Sequence, residues 1–357
     1  MNPITVTYKH VDGLDILMDI YPPLQTEPTR GTRRPAVVYF HGGGMTVGDR
    51  NSWFPDWLCT RAVDSGIAFI TVDHRLLAPS TGHDVLADIR DLFAFLADAL
   101  NPLLAAREEH AQTQIDPSRL AVAGTSAGGL CCYLAAVHAT PKPKALVSFY
   151  GLGGDFLSPH FYTPKHEPFF RGRALLDPAS FRAYLHPQSA ALPVLSGSPL
   201  TYPTDRPGEV PSNPRMPLAR LYLQLGVYLD YWTGVHGLGA RLARLLPAHV
   251  ERVSDATRGA TRAALPEDAK ELFPQLWVTK HWPRTLLVHG EMDTAVHAAD
   301  SRRLHQLLRT EGVDARLEIV QGEEHSFDYQ PGAEAKFGAL FDRVRDFLRE
   351  ALVGVDG

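Results

Sequence analysis

Ser126 stands at the centre of Gly124-Thr125-Ser126-Ala127-Gly128, between a short apolar run, Leu120 to Ala123, and an apolar stretch ending near His138. A Gly-x-Ser-x-Gly pentapeptide can be an ordinary turn. Flanked by a strand and a helix, it has the context in which a serine hydroxyl is lifted clear of its own backbone at the end of a sheet. Glycines two residues either side remove the Cβ atoms that would clash where strand and helix close on one another. The helix that follows turns its free N–H groups and positive dipole end toward the same spot. The chemistry such a turn permits is attack of the Ser126 oxygen on a carbonyl, with the Ala127 N–H holding the oxyanion.

That chemistry needs partners. A serine hydroxyl is a weak nucleophile until a base removes its proton. His325 follows the last predicted strand and can take that proton near neutral pH and return it to a leaving group. The chain has 16 histidines, so His325 is singled out by position alone. An acid must hold the imidazole in one tautomer and stabilise the imidazolium. Asp293, beyond the strand Arg284 to Val288, is the preferred candidate because it sits deeper in the loop, and Glu291 is the alternative. His41-Gly42-Gly43-Gly44 follows the apolar run Pro35 to Phe40 and offers N–H groups free of side chains. Gly43, Gly44 and Ala127 are the candidate oxyanion donors, each typically worth about a hundred- to a thousandfold in rate. His289 and His297 flank the acid loop, but without nearby cysteines or His-Glu-x-x-His spacing no metal site is expected there.

The elements that must position these residues follow from hydropathy patterning. Ile4 to Tyr8 and Leu14 to Tyr21 alternate around Asp12-Gly13, a hairpin signature. Pro35 to Phe40, Ile67 to Asp73, Leu120 to Ala123, Ala145 to Phe149 and Arg284 to Val288 are continuous apolar runs, as expected of strands buried on both faces. Ala315 to Val320 is the last strand. Helices are predicted over Asn51 to Ser65, Val85 to Leu100 with Asn101-Pro102 as stop, Ser301 to Gly312 and Glu334 to Leu352. Asp116-Pro117-Ser118 is a predicted turn. Strands alternating with helices predict an α/β fold around a mostly parallel sheet, in which ligands bind outside the carboxyl ends of the strands. The four candidate segments all lie at such ends.

From Leu152 to about His281 the alternation stops. Proline, aromatic and polar residues are mixed, with helices expected over Arg215 to Trp232, Gly237 to Val253 and Pro266 to Phe273. The expectation is one catalytic domain over residues 1–357 with an inserted, largely helical lid over residues 152–281. Phe156, Phe161, Tyr162, Tyr222, Tyr228 and Trp232 are candidate substrate contacts, with Phe169 and Phe170 among the same aromatic set; the bland alternative is that these rings build the lid's own core.

Composition narrows the rest. With 45% hydrophobic and 21% charged residues, the chain is ordinary for a globular enzyme. A net charge of −5 supplies no basic field for nucleic acid. Cys59, Cys131 and Cys132 are too few for a disulfide framework or a cysteine zinc site. No apolar run is long enough for a membrane span, and the N-terminal stretch does not resemble a signal peptide, so a cytoplasmic protein is expected. The sequence leaves a homodimer open.

Taken together, His-Gly-Gly-Gly, the Asp-x-Arg-Leu segment Asp73 to Leu76, and Gly-Thr-Ser-Ala-Gly-Gly resemble the hormone-sensitive-lipase-like (bacterial family IV) esterases of the α/β-hydrolase superfamily. The resemblance covers about Ile4 to Tyr150 and Arg284 onward. It implies an α/β-hydrolase fold, a triad in the chain order Ser126, Asp293, His325, and an oxyanion hole from Gly43, Gly44 and Ala127. Two features depart from it: Asp293-Thr294-Ala295 stands where the family has Asp-Pro-Leu, and N-terminal cap helices are replaced by the long insertion before Arg284. The expected activity is cofactor-free hydrolysis of small to medium apolar acyl or aryl esters through an acyl-enzyme. An aryl formamide, amide or lactone is the alternative bond. A non-enzymatic receptor or a lyase is the alternative class, and retention of His325 argues against the receptor.

Overall fold

The computed structural model describes residues 2–23, 33–202, 212–246 and 254–354. Eight strands form one sheet: β1 (Ile4–Val11), β2 (Leu14–Tyr21), β3 (Arg34–Phe40), β4 (Ala68–Val72), β5 (Ile115–Thr125), β6 (Ala145–Phe149), β7 (Arg284–Gly290) and β8 (Ala315–Val320). Their order is β1-β2-β4-β3-β5-β6-β7-β8. β1, β2 and β4 pair antiparallel, and the remaining neighbours pair parallel. The mostly parallel α/β architecture is the one the sequence predicts.

The apolar runs are buried because both sheet faces are covered. Ala36, Val38 and Phe40 of β3 join one core with Ala68, Ile70 and Val72 of β4; the alternate residues Val37, Tyr39 and Phe69 join a second core on the other face. That is the two-residue period of a strand with apolar material on both sides. The ten helices of the described residues are α1 (Asp56–Asp64), α2 (Gly82–Asp98), α3 (Leu100–Ala105), α4 (Ala127–His138), α5 (Leu218–Leu225), α6 (Tyr228–Thr233), α7 (Leu238–Ala243), α8 (Asp255–Ala263), α9 (Ala298–Thr310) and α10 (Ala333–Leu352). Core residues of α2 and α4 cover one face, those of α1 and α10 the other.

Several boundaries differ from expectation, each for a local reason. α1 begins at Asp56, not Asn51. The Asp49 side chain takes the Asn51 N–H and the Ser52 hydroxyl into a turn, Trp53 has φ 47°, and Pro55 disfavours helix in the residue before it. Asn101-Pro102 does not stop the helical path but lies in the first turn of α3, where proline's missing N–H costs nothing. The Asn101 amide instead clamps the N–H and C=O of Ile115. Asp116-Pro117-Ser118 bulges within β5, whose pairing jumps from Arg34↔Ile115 to Ala36↔Leu120. The predicted helix Arg215 to Trp232 is two helices, broken where Gly226 takes φ 68° and Val227 N–H returns to Tyr222 C=O. Only α7 forms in the described part of Gly237 to Val253, and residues 247–253 lie outside the described residues. Pro266 to Phe273 holds a 3-10 helix, Asp268–Leu272. α8 lies between the predicted helical segments, and Ser254 caps it by accepting the Thr257 N–H.

The Asp-x-Arg-Leu segment is a clamp. Arg75 binds Asp88 at 2.8 Å and Asp84 at 2.6 Å, while Lys9 reaches Asp88 at 2.7 Å, joining β1 to α2. Asp73 accepts from the Arg50 N–H and guanidinium. Removing one partner of such a buried pair typically costs about 3–5 kcal/mol.

The tightest constraint is where β5 meets α4. A Cβ on Gly128 would lie 2.0 Å from the Phe40 carbonyl oxygen, and one on Gly124 would lie 2.5 Å from the Gly128 backbone. No side chain can be inserted without moving β3 or α4. Gly128→Ala is therefore expected to destabilise the protein by about 3 kcal/mol or more. Gly259→Ala, in open space within α8, should be neutral or stabilising by up to about 1 kcal/mol. Urea denaturation of the two variants checks this; equal midpoints would refute the packing argument.

Candidate active site

Ser126 occupies the crest of the β5–α4 turn with φ 53° and ψ −120°. Backbone hydrogen bonds tie it to the chain around the end of β6: its N–H donates to Phe149 C=O at 3.0 Å, and its C=O, which also takes the Gly129 N–H, accepts the Leu152 N–H at 2.8 Å. Phe149 and Leu152 flank the end of β6, so the sheet fixes a residue whose conformation would otherwise cost about 1–3 kcal/mol.

The same lacing continues outward. Tyr150 N–H donates to Val288 C=O, Glu291 N–H to Val320 C=O, and Met292 N–H to Glu323 C=O. The loops after β6, β7 and β8 are thereby tied edge to edge. His325 is brought within 3.0 Å of Ser126 Oγ at its Nε2 and within 2.7 Å of Asp293 Oδ2 at its Nδ1. The carboxylate fixes Nδ1 as donor, so Nε2 accepts from the Ser126 hydroxyl. Asp293 is saturated: Oδ1 takes the N–H groups of Ala295 and Val296, and His289 Nε2 lies 3.2 Å from Oδ2. Burial pushes this carboxyl up, but the charge of His325 and the hydrogen bonds of His289 and His325 outweigh it and hold Asp293 below the usual carboxylate range. Glu291, the alternative acid, is exposed and accepts from Gly322 N–H instead.

Neither flanking histidine is placed as a metal ligand. His289 Nδ1 lies 2.7 Å from Ser301 Oγ and its Nε2 2.9 Å from Val296 C=O, while His297 packs on the His160 ring. Among the described residues no group of three or more His, Cys, Asp or Glu side chains is arranged to hold a metal ion. The cysteines Cys59, Cys131 and Cys132 are free and buried.

Beside Ser126, the glycine loop is held by its carbonyls. Gly43 C=O accepts from Thr46 N–H and hydroxyl, and Gly44 C=O accepts from the Tyr228 hydroxyl at 3.1 Å. The N–H groups of Gly43 and Gly44 have no acceptor among the described residues. A Cβ on Gly43 would meet Val47 C=O at 2.1 Å and one on Gly44 would meet Ala219 Cβ at 2.3 Å. His41 is buried, stacked on His74 with ring centroids 4.7 Å apart, and burial then His74 push it down to about 3, so it stays uncharged at neutral pH.

Gly43, Gly44, Ser126 and His325 face a cavity of about 810 Å³. Its other walls include Trp53, Tyr150, Leu152, Phe170, Leu175, Phe181, Met216, Leu223, Tyr228 and Val296, with Arg171, Arg173 and Arg220 from the insertion. Of the six aromatic residues expected to touch substrate, only Tyr228 lines it. Phe156, Phe161, Tyr162, Tyr222 and Trp232 do not: all five are fully buried, and the insertion uses them as core. Phe156 packs on Phe161, Trp232 and Phe273 within 6 Å, and Tyr222 stacks on Tyr231 at 3.8 Å.

Sequence reasoning missed Tyr150, whose ring lies 4.5 Å from that of His325 and whose hydroxyl donates to Asp328. Burial raises Asp328 to about 6. Tyr150 stands directly after β6, so the strand-end rule that selects Ser126 would have selected it too. Glu324, which accepts the N–H groups of Thr294 and His325, carries no such signal.

The family described as alpha/beta hydrolase fold matches residues 37–206, and the prolyl oligopeptidase family matches residues 264–353, the part that holds Asp293 and His325. The solved structure of esterase 2 from Thermogutta terrifontis superposes with a TM-score of 0.58 over 100% of this chain and 95% of that one, at 16% identity. The chain is an α/β-hydrolase by fold. The first match covers the part of the chain that carries the His-Gly-Gly-Gly and Gly-Thr-Ser-Ala-Gly motifs. Among curated relatives, non-reducing polyketide synthases of Aspergillus calidoustus and Penicillium brevicompactum are each 27% identical, over 91% and 97% of this chain. The chain spans only 13% and 15% of their length. A probable carboxylesterase of a Phoma species is 30% identical over 40% of this chain and 45% of its own. No described helix is long and apolar enough to cross a membrane.

Asp293 gives a test with a definite sign. A carboxyl held below its ordinary value contributes stability that is complete above roughly pH 4 and lost as pH falls through the folded value. Between pH 5 and 2.5 the wild-type protein should therefore lose stability to denaturant more steeply than Asp293→Asn. Parallel curves would show that this carboxyl is not depressed.

Proposed function

We propose that the protein is a carboxylic ester hydrolase acting through Ser126, His325 and Asp293. The observation that carries this reading is the unbroken relay from Asp293 Oδ2 through both His325 nitrogens to Ser126 Oγ, at 2.7 and 3.0 Å, opening on a cavity large enough for a small to medium ester. His325 takes the Ser126 proton as the oxygen attacks the ester carbonyl, and Asp293 stabilises the imidazolium without taking its proton. The oxyanion is received by the N–H groups of Gly43, Gly44 and Ala127. His325 then gives the proton to the departing alcohol, leaving an acyl group on Ser126. A water activated by the same imidazole releases the acid. No step calls for a cofactor. In this reading residues 152–281 act as the lid, and the whole chain is one catalytic domain.

Ser126→Ala should lower kcat/KM for p-nitrophenyl butyrate by at least about a thousandfold, with an unchanged thermal midpoint. A fluorophosphonate probe should label the wild-type protein at Ser126. Wild-type turnover in the variant, or a folded protein that resists the probe, would sink the reading.

A second reading concerns the acyl group. The relatives aligned along nearly the whole chain are polyketide synthases, which supports a polyketide acyl group, as ester or thioester, for this cavity. Aromatic acyl thioesters of N-acetylcysteamine should then be cleaved with kcat/KM within about tenfold of p-nitrophenyl butyrate; slower turnover by a further hundredfold would favour simple esters.

A further inference from the structure

The cavity is not electrically neutral. Arg171, Arg173 and Arg220 line it, in a chain whose net charge is −5. None of the three guanidiniums has a carboxylate partner among the described residues. Asp177 shares the lining, but its oxygens are taken by the Ala179 N–H and the Ser180 hydroxyl. Arg220 is half-buried on α5 and donates through Nη1 to Ala174 C=O at 3.1 Å, which ties the helix to the loop carrying Arg171 and Arg173. Its Nε is shut off from solvent and has no hydrogen-bond partner. The loop is anchored at its other end, where Arg171 N–H donates to Thr294 Oγ1 beside the acid loop. Burial, then the nearby Arg173, pushes the Arg220 guanidinium down to about 10. Gathering like charges without a counter-ion is unfavourable, and an anionic ligand relieves it. A planar guanidinium fork binds carboxylate or phosphate oxygens with paired, charge-assisted hydrogen bonds.

The geometry points to an anionic-substrate subsite: Arg220, Arg173 and Arg171 bind a carboxylate or phosphate carried by the ester, away from the bond that is cleaved. This rests on the hydrolase reading for where the substrate reacts, but the anion subsite is testable without turnover. Because the three side chains sit on the insertion, they select substrate and take no part in the relay.

The test compares matched substrates: 4-carboxyphenyl, 4-phosphonophenyl and 4-carbamoylphenyl butyrate for the leaving group, and p-nitrophenyl adipate monoester against its methyl ester for the acyl side. In at least one series the charged member should exceed the neutral one by about tenfold or more in kcat/KM, mostly through KM, and the excess should shrink in 0.5 M salt. The series that responds tells carboxylate from phosphate and acyl from leaving group. Arg220→Gln, and separately the exposed Arg173→Gln, should bring the charged-to-neutral ratio toward one. Ratios at or below one throughout for the wild type, or ratios unmoved in both variants, would overturn the subsite. Should no ester be cleaved, the hydrolase reading fails alone. Calorimetric binding of 4-phenylbutyrate and 4-phenylbutanamide to Ser126→Ala then decides. A carboxylate preference of about tenfold that disappears on adding Arg220→Gln supports the subsite, and equal affinities refute it.

Discussion

One strained residue governs the arrangement. Ser126 is held with positive φ by hydrogen bonds at its N–H and its C=O, both to the chain at the end of β6. The turn exists only because Gly124 and Gly128 let β5, α4 and the end of β3 approach to distances that leave no room for a methyl group. Every other part of the candidate site is placed relative to that crossing. β7 and β8 continue the sheet in register, and the loops at their ends exchange backbone hydrogen bonds, which carries Asp293 and His325 to the serine.

The sheet edge also explains how much of this was legible in the amino-acid sequence. Strands buried on both faces must be nearly all apolar, so β3, β4, the end of β5, β6 and β7 stand out from their neighbours, β8 follows as the edge strand, and the polar residues just beyond them form a short roster. Ser126, Asp293 and His325 come from that rule together with chain order. Helix boundaries were harder, because they turn on events that periodicity does not carry: a side chain of Asp49 capturing a turn, an Asn101 amide clamping another strand, a left-handed Gly226 cutting one apolar stripe into two helices.

The insertion was least legible. Its aromatic residues look the same whether they face a ligand or one another, and hydropathy cannot separate the two. Here the large rings, with the leucines around them, build a core for a segment that has no strand among its described residues. The cavity wall draws instead on Trp53 and Tyr150 from outside the insertion and, from within it, on Phe170, Leu175, Phe181, Leu223 and three arginines that hydropathy does not single out. Tyr228 does both jobs, packing against Phe156 and steadying Gly44 through its hydroxyl.

The shared hydrophobic core has a mechanical consequence. Phe156, Trp232 and Leu221 of the insertion belong to the same continuous cluster as Val85, Leu92 and Leu130 of the sheet-covering helices. Swinging the roof away as a unit would bare several aromatic side chains, at roughly 1.5–3 kcal/mol each. The stretch from Arg171 to Leu175, which also lines the cavity, is by contrast solvent-exposed and outside that cluster. Opening the cavity at this stretch therefore costs less buried surface than displacing the packed helices around it.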